Sequence, residues 1–186
     1  MMEQSPIRVL QIVDTLGGGG AERIVIDILK HIDSRRFRPS VCVTRNLGPF
    51  ADEIRQLNIP IYCMQRNSRY DLKGFGKLVK LMRETRPHIV HTHKVGSNTL
   101  GRIAALLAGV PVIIAHEHTM PERSRTQRWL DTMLARWATC VITCDAALKK
   151  ALVAGKQIDP RKFVVIYNGV DLERFNLETT DAMLSR

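Results

Sequence analysis

Residues 9–30, VLQIVDTLGGGGAERIVIDILK, decide how this chain is read. The apolar run Ile7–Val13 gives way to four glycines, Gly17, Gly18, Gly19 and Gly20. Ala21, Ile24, Val25, Ile28, Leu29 and Ile32 then recur at helical spacing. The pattern predicts a buried strand, a tight turn and a helix packed back on a sheet. Glycine admits a positive φ in such a turn and lets a ligand approach the backbone. The free N–H groups at the helix start favour an anion above the turn, most often a phosphate.

The same alternation of strand-like and helix-like segments continues along the 186 residues, which predicts an α/β fold with a mainly parallel sheet of six or seven strands. Strand two is expected at 40–44, strand three at 59–64, strand four at 89–92, strand five at 112–115, strand six at 140–143 and a short last strand at 163–166. Helices are expected at 21–32, 50–57, 72–86, 99–108, 126–138 and from the cap Asp145 through 154, with Gly155 closing it. Pro60 cannot donate to a ladder, which makes strand three an edge and suggests the order 3-2-1-4-5-6. Ligands of open α/β sheets bind at the carboxyl strand ends where the order reverses, here between strands one and four. Those ends carry the glycines and His91-Thr92-His93-Lys94, with His116-Glu117-His118-Thr119 beside them. Four of the six histidines sit there, and His88 enters strand four.

Apolar residues make up 45% and charged residues 25%, as in a soluble globular protein. No apolar run approaches the roughly 18 residues of a membrane span, and MMEQSPIRVL lacks the regions of a secretory signal. A cytoplasmic location is expected. The net charge of +10 suits phosphate-bearing partners, nucleotide or anionic membrane. No zinc finger, RNP sequence or basic helix-turn-helix pattern points to nucleic acid. Cys42, Cys63, Cys140 and Cys144 form no C-x-x-C and lie in or beside strand-like runs, as reduced core thiols do.

The phosphate loop is neither of the common kinds. G-x-x-x-x-G-K-[ST] is absent, and G-x-G-x-x-G fails because Glu22 or Arg23 stands at the third glycine. Arg45 ends strand two where an NAD-binding fold wants an acid, leaving an NADP-dependent oxidoreductase as a remote reading. Instead Gly18-Gly19-Gly20-Ala21-Glu22 resembles the G-G-x-E loop of the GT4 family of retaining glycosyltransferases. Ile89-Val90-His91-Thr92-His93 resembles that family's DVVHTH segment, with His88 where an Asp is usual. Gly109-Val110-Pro111 before a His-bearing strand end, and Asn168-Gly169-Val170-Asp171 followed by Phe175, resemble its GVPVV…H and NGVDxxxF segments.

The resemblance implies the N-terminal, acceptor-side half of a GT-B fold, a Rossmann-like three-layer sandwich. Residues 1–167 would form that domain. Residues 168–186 would be the interdomain hinge (Asn168, Gly169, Asp171) and the start of a C-terminal domain that is not matched here. The implied reaction moves a sugar with retention from a UDP- or GDP-sugar to a hydroxyl of a polysaccharide or other glycan, a glycolipid or a small molecule. It needs no cofactor and no bound metal. Charge stabilisation on the departing diphosphate is the main requirement, and the Gly18, Gly19 and Gly20 amides would supply part of it. His118 is implied near the reacting sugar, with His116 competing because the spacing from Pro111 is one residue off in either direction. His93, Lys94 and Thr119 fall at the acceptor site. Glu22 either favours the first turn of its helix or binds an acceptor hydroxyl.

Two H-x-H pairs also invite a metal reading, since alternate strand positions share a face. Glu117 is the one nearby carboxylate and would point the other way if the strand persists, so no metal is expected. Arg123, Arg125, Arg128 and Arg136 surround Trp129, Leu130, Met133, Leu134 and Trp137. That segment reads either as a basic amphipathic helix in peripheral contact with anionic membrane or as a helix with its apolar face in the core. The alternative to a glycosyltransferase half is a non-catalytic module that binds a nucleotide or sugar-phosphate.

Overall fold

The computed structural model describes residues 5–68, 70–119, 124–154 and 159–170. Asp171, Phe175, Arg123 and Gly155, all singled out in the sequence, lie outside these residues, as does the tail that follows. The strands are β1 Ile7–Val13, β2 Phe37–Val43, β3 Ile61–Cys63, β4 Ile89–His93, β5 Val112–Glu117, β6 Cys140–Thr143 and β7 Phe163–Val165. The helices are α1 Gly20–His31, α2 Phe50–Gln56, α3 Leu72–Thr85, α4 Val95–Ala108, α5 Arg125–Trp137 and α6 Ala146–Val153. The sheet runs β3-β2-β1-β4-β5-β6-β7, and every pair in it is parallel. β3 is an edge, as Pro60 requires, and the order reverses between β1 and β4.

Alternation along the strands sorts the side chains between two faces. Leu10, Ile12, Cys42, Val90 and Ile113 pack with Leu78, Leu81 and Met82 of α3 and with Ala104 and Ala105 of α4. On the same face Ala115 and Val141 pack with Ala135 of α5, Leu148 and Leu152 of α6, and Phe163. The opposite face carries Val13, Val41 and Val43 under Val25, Ile26 and Leu29 of α1 and Ala51 and Ile54 of α2. Residues paired across parallel strands share a face, so Gln11 (opposite Val41), His91 (opposite Gln11), His93 and its partner His116 all point to the α1 side.

Element ends follow their chemistry. Gly109 closes α4 at φ +71, the left-handed conformation that glycine adopts freely. Pro87 ends α3, leaving Arg86 in the same region at φ +46. Asp71 and Asp145 accept from backbone N–H groups at the starts of α3 and α6. Ser124 and Gln127 form a capping box on α5.

Most boundaries shift by one or two residues from the sequence reading, β3 shrinking to Ile61–Cys63, and three of the shifts have a clear cause. β2 begins at Phe37, because its first residues pair with β1 from Ile7 onward. α4 begins at Val95 rather than near 99, because Ser97 and Asn98 turn their polar side chains onto the strand ends and enter the helix buried. β5 runs on to Glu117, because β6 pairs with it as far as Thr143.

Arg102 of α4 and Asp131 of α5 form an ion pair whose side chains are nearly sealed from solvent, locking the two helices together. All four cysteines are free thiols, and burial pushes Cys42 well above its ordinary range.

Candidate functional site

Asp14 and Thr15 follow β1, and the turn through Gly17, Gly18 and Gly19 leads into α1. Gly18 has φ +95 and carries the left-handed step; Gly17, Gly19 and Gly20 do not need it. A Cβ on Gly19 would stand 2.6 Å from Glu22 Oε2. A side chain there would make the end of the Glu22 carboxylate shift. Gly19 is the N-cap of α1, which places Glu22 in the helix's first turn, where a negative charge is stabilised by the helix dipole.

β4 delivers the second wall. Lys94 follows His93 with φ +63 and ψ 166, a region nearly reserved for glycine that costs a side-chain-bearing residue about 1–3 kcal/mol. Its ammonium lies 2.7 Å from Glu22 Oε1 and remains half-exposed, whereas Glu22 is buried with Oε2 unpaired. Gly96, in the first turn of α4, packs against Asp14, whose carboxylate would overlap a Cβ placed there. Asp14 cannot retreat easily, because Thr44 Oγ1 donates to its Oδ1 at 2.7 Å. The β1 and β4 ends are thereby clamped together with two helix N-termini, those of α1 and α4, at one rim.

β5 supplies the third wall with Glu117, His118 and Thr119. These residues, Asp14, Gly20, Ala21, Arg23, Lys94 and Gly96 line a cleft of about 780 Å³, which Asn168, Gly169 and Val170 border from the far side. The glycine corner and the imidazole-bearing strand tips thus meet at a single mouth on the carboxyl rim. Glu117 lines this cleft although alternation sets it on the other side of β5 from the imidazoles.

The four histidines form one cluster on the α1 side. Neighbouring ring centroids lie 4.1–5.4 Å apart. His93 Nε2–H donates to Gln11 Oε1 at 2.8 Å. The neutral ring then has a bare Nδ1, which accepts from His118 Nε2–H at 3.1 Å. Burial pushes His91 down to about 3, His116 to about 2 and His118 to about 4, with Lys94 adding to the last. Burial also holds His93 well below its ordinary value. All four are neutral imidazoles at neutral pH. His118 faces the cleft, His93 reaches it only through His118, and His91 and His116 lie deeper. His116 also borders a second cavity, beside Ile24, Ile28 and 166–170.

Asn98, from α4, ties the tips of β4 and β5 together. It accepts from Thr92 Oγ1 at 2.6 Å and donates to the His116 carbonyl at 3.2 Å. Sequence reasoning missed Asn98, Asp14 and Gln11. Gln11 carried a faint signal, a lone amide in an otherwise apolar strand beyond its first turn.

Away from this rim, Trp129, Met133 and Trp137 form an exposed stripe on α5, with Trp129 67% and Trp137 66% exposed. Leu134, Ala135 and Ala138 take the core side instead. The helix therefore has two apolar faces, and the aromatic one meets solvent beside exposed Arg125 and Arg136. No helix among the described residues is long and apolar enough to cross a membrane.

The family model described as Glycosyltransferase Family 4 matches residues 18–174. An Escherichia coli UDP-Gal:alpha-D-GlcNAc-diphosphoundecaprenol alpha-1,3-galactosyltransferase is 30% identical over 167 residues, covering 84% of this chain and 43% of that protein. The Staphylococcus aureus capsular polysaccharide biosynthesis glycosyltransferase CapH is 25% identical, covering 91% of this chain and 49% of that protein. Among solved structures, Anabaena HepE in complex with UDP superposes with a TM-score of 0.70 at 26% identity, over 91% of this chain and 45% of that one. The chain spans just under half the length of these relatives.

Proposed function

The chain belongs to glycosyltransferase family 4, and from that premise we propose that it is the N-terminal, acceptor-side half of a retaining enzyme. The enzyme transfers a sugar from a UDP- or GDP-sugar to the hydroxyl of a glycan, a lipid-linked glycan or a small molecule. The observation that carries the reading is the convergence of Gly20, Lys94, His118 and Thr119 on one cleft at the point where the strand order reverses. The UDP bound in the HepE structure and the nucleotide-sugar donor in the E. coli relative's name support the donor class.

The transition state resembles an oxocarbenium ion beside a departing diphosphate. The amides of the Gly18–Gly20 turn and the start of α4 supply fixed donors for that diphosphate, and Lys94 adds a cation. Glu22 holds Lys94 in place from beneath the turn. His118 is the histidine beside the reacting sugar: its ring is neutral and open to the cleft, and can donate to or accept from a hydroxyl. His116, buried behind it, competes less well. His93 acts on the acceptor side by orienting His118, and Thr119 lines the acceptor's approach. Asn168, Gly169 and Asp171 form the hinge, with residues 168–186 leading into the second domain. The aromatic stripe of α5, flanked by Arg125 and Arg136, docks on anionic membrane and presents the cleft to a lipid-linked acceptor at the cytoplasmic face.

Donor hydrolysis tests the reading. The complete protein encoded by the reading frame should release UDP or GDP from one nucleotide-sugar, and His118→Ala should lower that rate by about 100-fold or more. These residues alone should show little turnover. A reading frame without a second α/β domain after Arg186, together with nucleotide binding but no hydrolysis, would leave the non-catalytic binding module as the correct description.

A further inference from the structure

We propose that His91, His93 and His116 bind one divalent transition-metal ion of the zinc class. The sequence argued against a metal because it showed two separate H-x-H pairs with no carboxylate cluster. The strand pairing supplies a third imidazole in place of a carboxylate. His93 stands opposite His116, and His91 is two residues earlier on the same face of the sheet. One ligating nitrogen from each of these three lies within 4.8 Å of the others.

Two observations distinguish this cluster from ordinary buried histidines. First, His91 Nε2, both ring nitrogens of His116 and His118 Nδ1 are buried without a hydrogen-bond partner. Buried polar atoms are nearly always paired, and one ion, taking one nitrogen from each ring, would engage His91 Nε2 and one of the two His116 nitrogens. Second, His93 already has the orientation of a ligand. Gln11 Oε1 takes its Nε2–H at 2.8 Å, which fixes the tautomer and leaves Nδ1 as the donor toward the cluster.

The donor set selects the metal. All-imidazole sites suit zinc, copper and nickel, whereas magnesium and calcium need oxygen ligands. An ion here would join the carboxyl tips of β4 and β5 and, through Gln11, register β1 against them. It would take the His93 Nδ1 lone pair that otherwise accepts from His118, so metal binding and the orientation of His118 by His93 are alternatives at one nitrogen. The role is structural and positioning, with no step of sugar transfer routed through the ion.

The test uses the full 186-residue chain, stripped with chelator and titrated with Zn²⁺ alone or Co²⁺ alone. The expected result is about one equivalent bound per chain, a rise in melting temperature with zinc, and the strong visible bands of four-coordinate cobalt. X-ray absorption on the zinc-loaded, unsubstituted chain should show three or more imidazoles around the ion. His91→Asn and His116→Asn should abolish the stoichiometric site, Gln11→Leu should weaken it by about 10–100-fold, and His31→Asn should leave it intact. Absence of binding to the unsubstituted chain overturns the proposal, as does survival of full affinity in both ligand variants. Fewer than three imidazoles in the absorption spectrum does so even if the variants fail to fold.

Discussion

Gly18 and Gly20 stand two residues apart in one turn and are under different constraints. Gly18 has φ +95 with open space around it, so an alanine there would suffer backbone strain alone. Gly18→Ala should destabilise the chain by about 1–2 kcal/mol in urea denaturation. Gly20 is the first residue of α1, has no positive φ and also faces open space. Gly20→Ala should leave stability unchanged or raise it by up to about 1 kcal/mol. Lys94 presents the converse case, a long side chain held at φ +63. Lys94→Gly should be more stable than Lys94→Ala by about 1 kcal/mol, because only the glycine relieves the backbone. Both variants lose the cation beside the phosphate-facing turn, so both should impair donor hydrolysis in the complete enzyme. That separation of stability from activity is the signature expected of a residue strained for a binding role.

At the scale of elements, the Arg102–Asp131 pair holds α4 against α5 from inside the protein. Two desolvated charges face each other there, and removing Arg102 takes the neighbouring positive charge away from a buried carboxylate. Arg102→Met should cost about 3–5 kcal/mol by denaturant titration, while Arg102→Met combined with Asp131→Leu should recover most of that loss. The clamp between Asp14 and Gly96 works by contact instead. Gly96→Ala would drive a methyl group into a carboxylate that Thr44 holds in place, forcing the β1 end and α4 apart. Its stability loss should reach about 1–3 kcal/mol, accompanied by weaker nucleotide binding in the complete protein.

For the molecule as a whole, charge and the exposed aromatic stripe act together. Trp129 and Trp137 lie on one side of α5, and the chain carries a net charge of +10. Sedimentation with anionic vesicles at low salt should recover the protein, and Trp129→Ser with Trp137→Ser should abolish most of that binding. Neutral vesicles should recover little. Raising the ionic strength to 0.15 M, where the Debye length is about 8 Å, should weaken binding without eliminating it if the tryptophans insert. Complete insensitivity to the double substitution would place the membrane contact elsewhere or nowhere.

The strand–glycine–helix opening, the parallel sheet, the edge position of β3 and the strand order from β3 to β6 were all legible in one dimension. Each depends on local information: apolar periodicity, a proline that cannot pair, glycines before a helix. The gathering of the glycine turn with the histidine-bearing strand ends was also legible, because the carboxyl ends of parallel strands share a rim. Pairing and burial alone decided the rest. Gln11 is a lone amide without a visible purpose until β4 brings His93 against it, and Arg102 and Asp131 are 29 residues apart until two helices pack. The two H-x-H pairs become one cluster only because the register sets His93 opposite His116. Register is a long-range choice made by whole strands burying their faces, and no short stretch of sequence contains it.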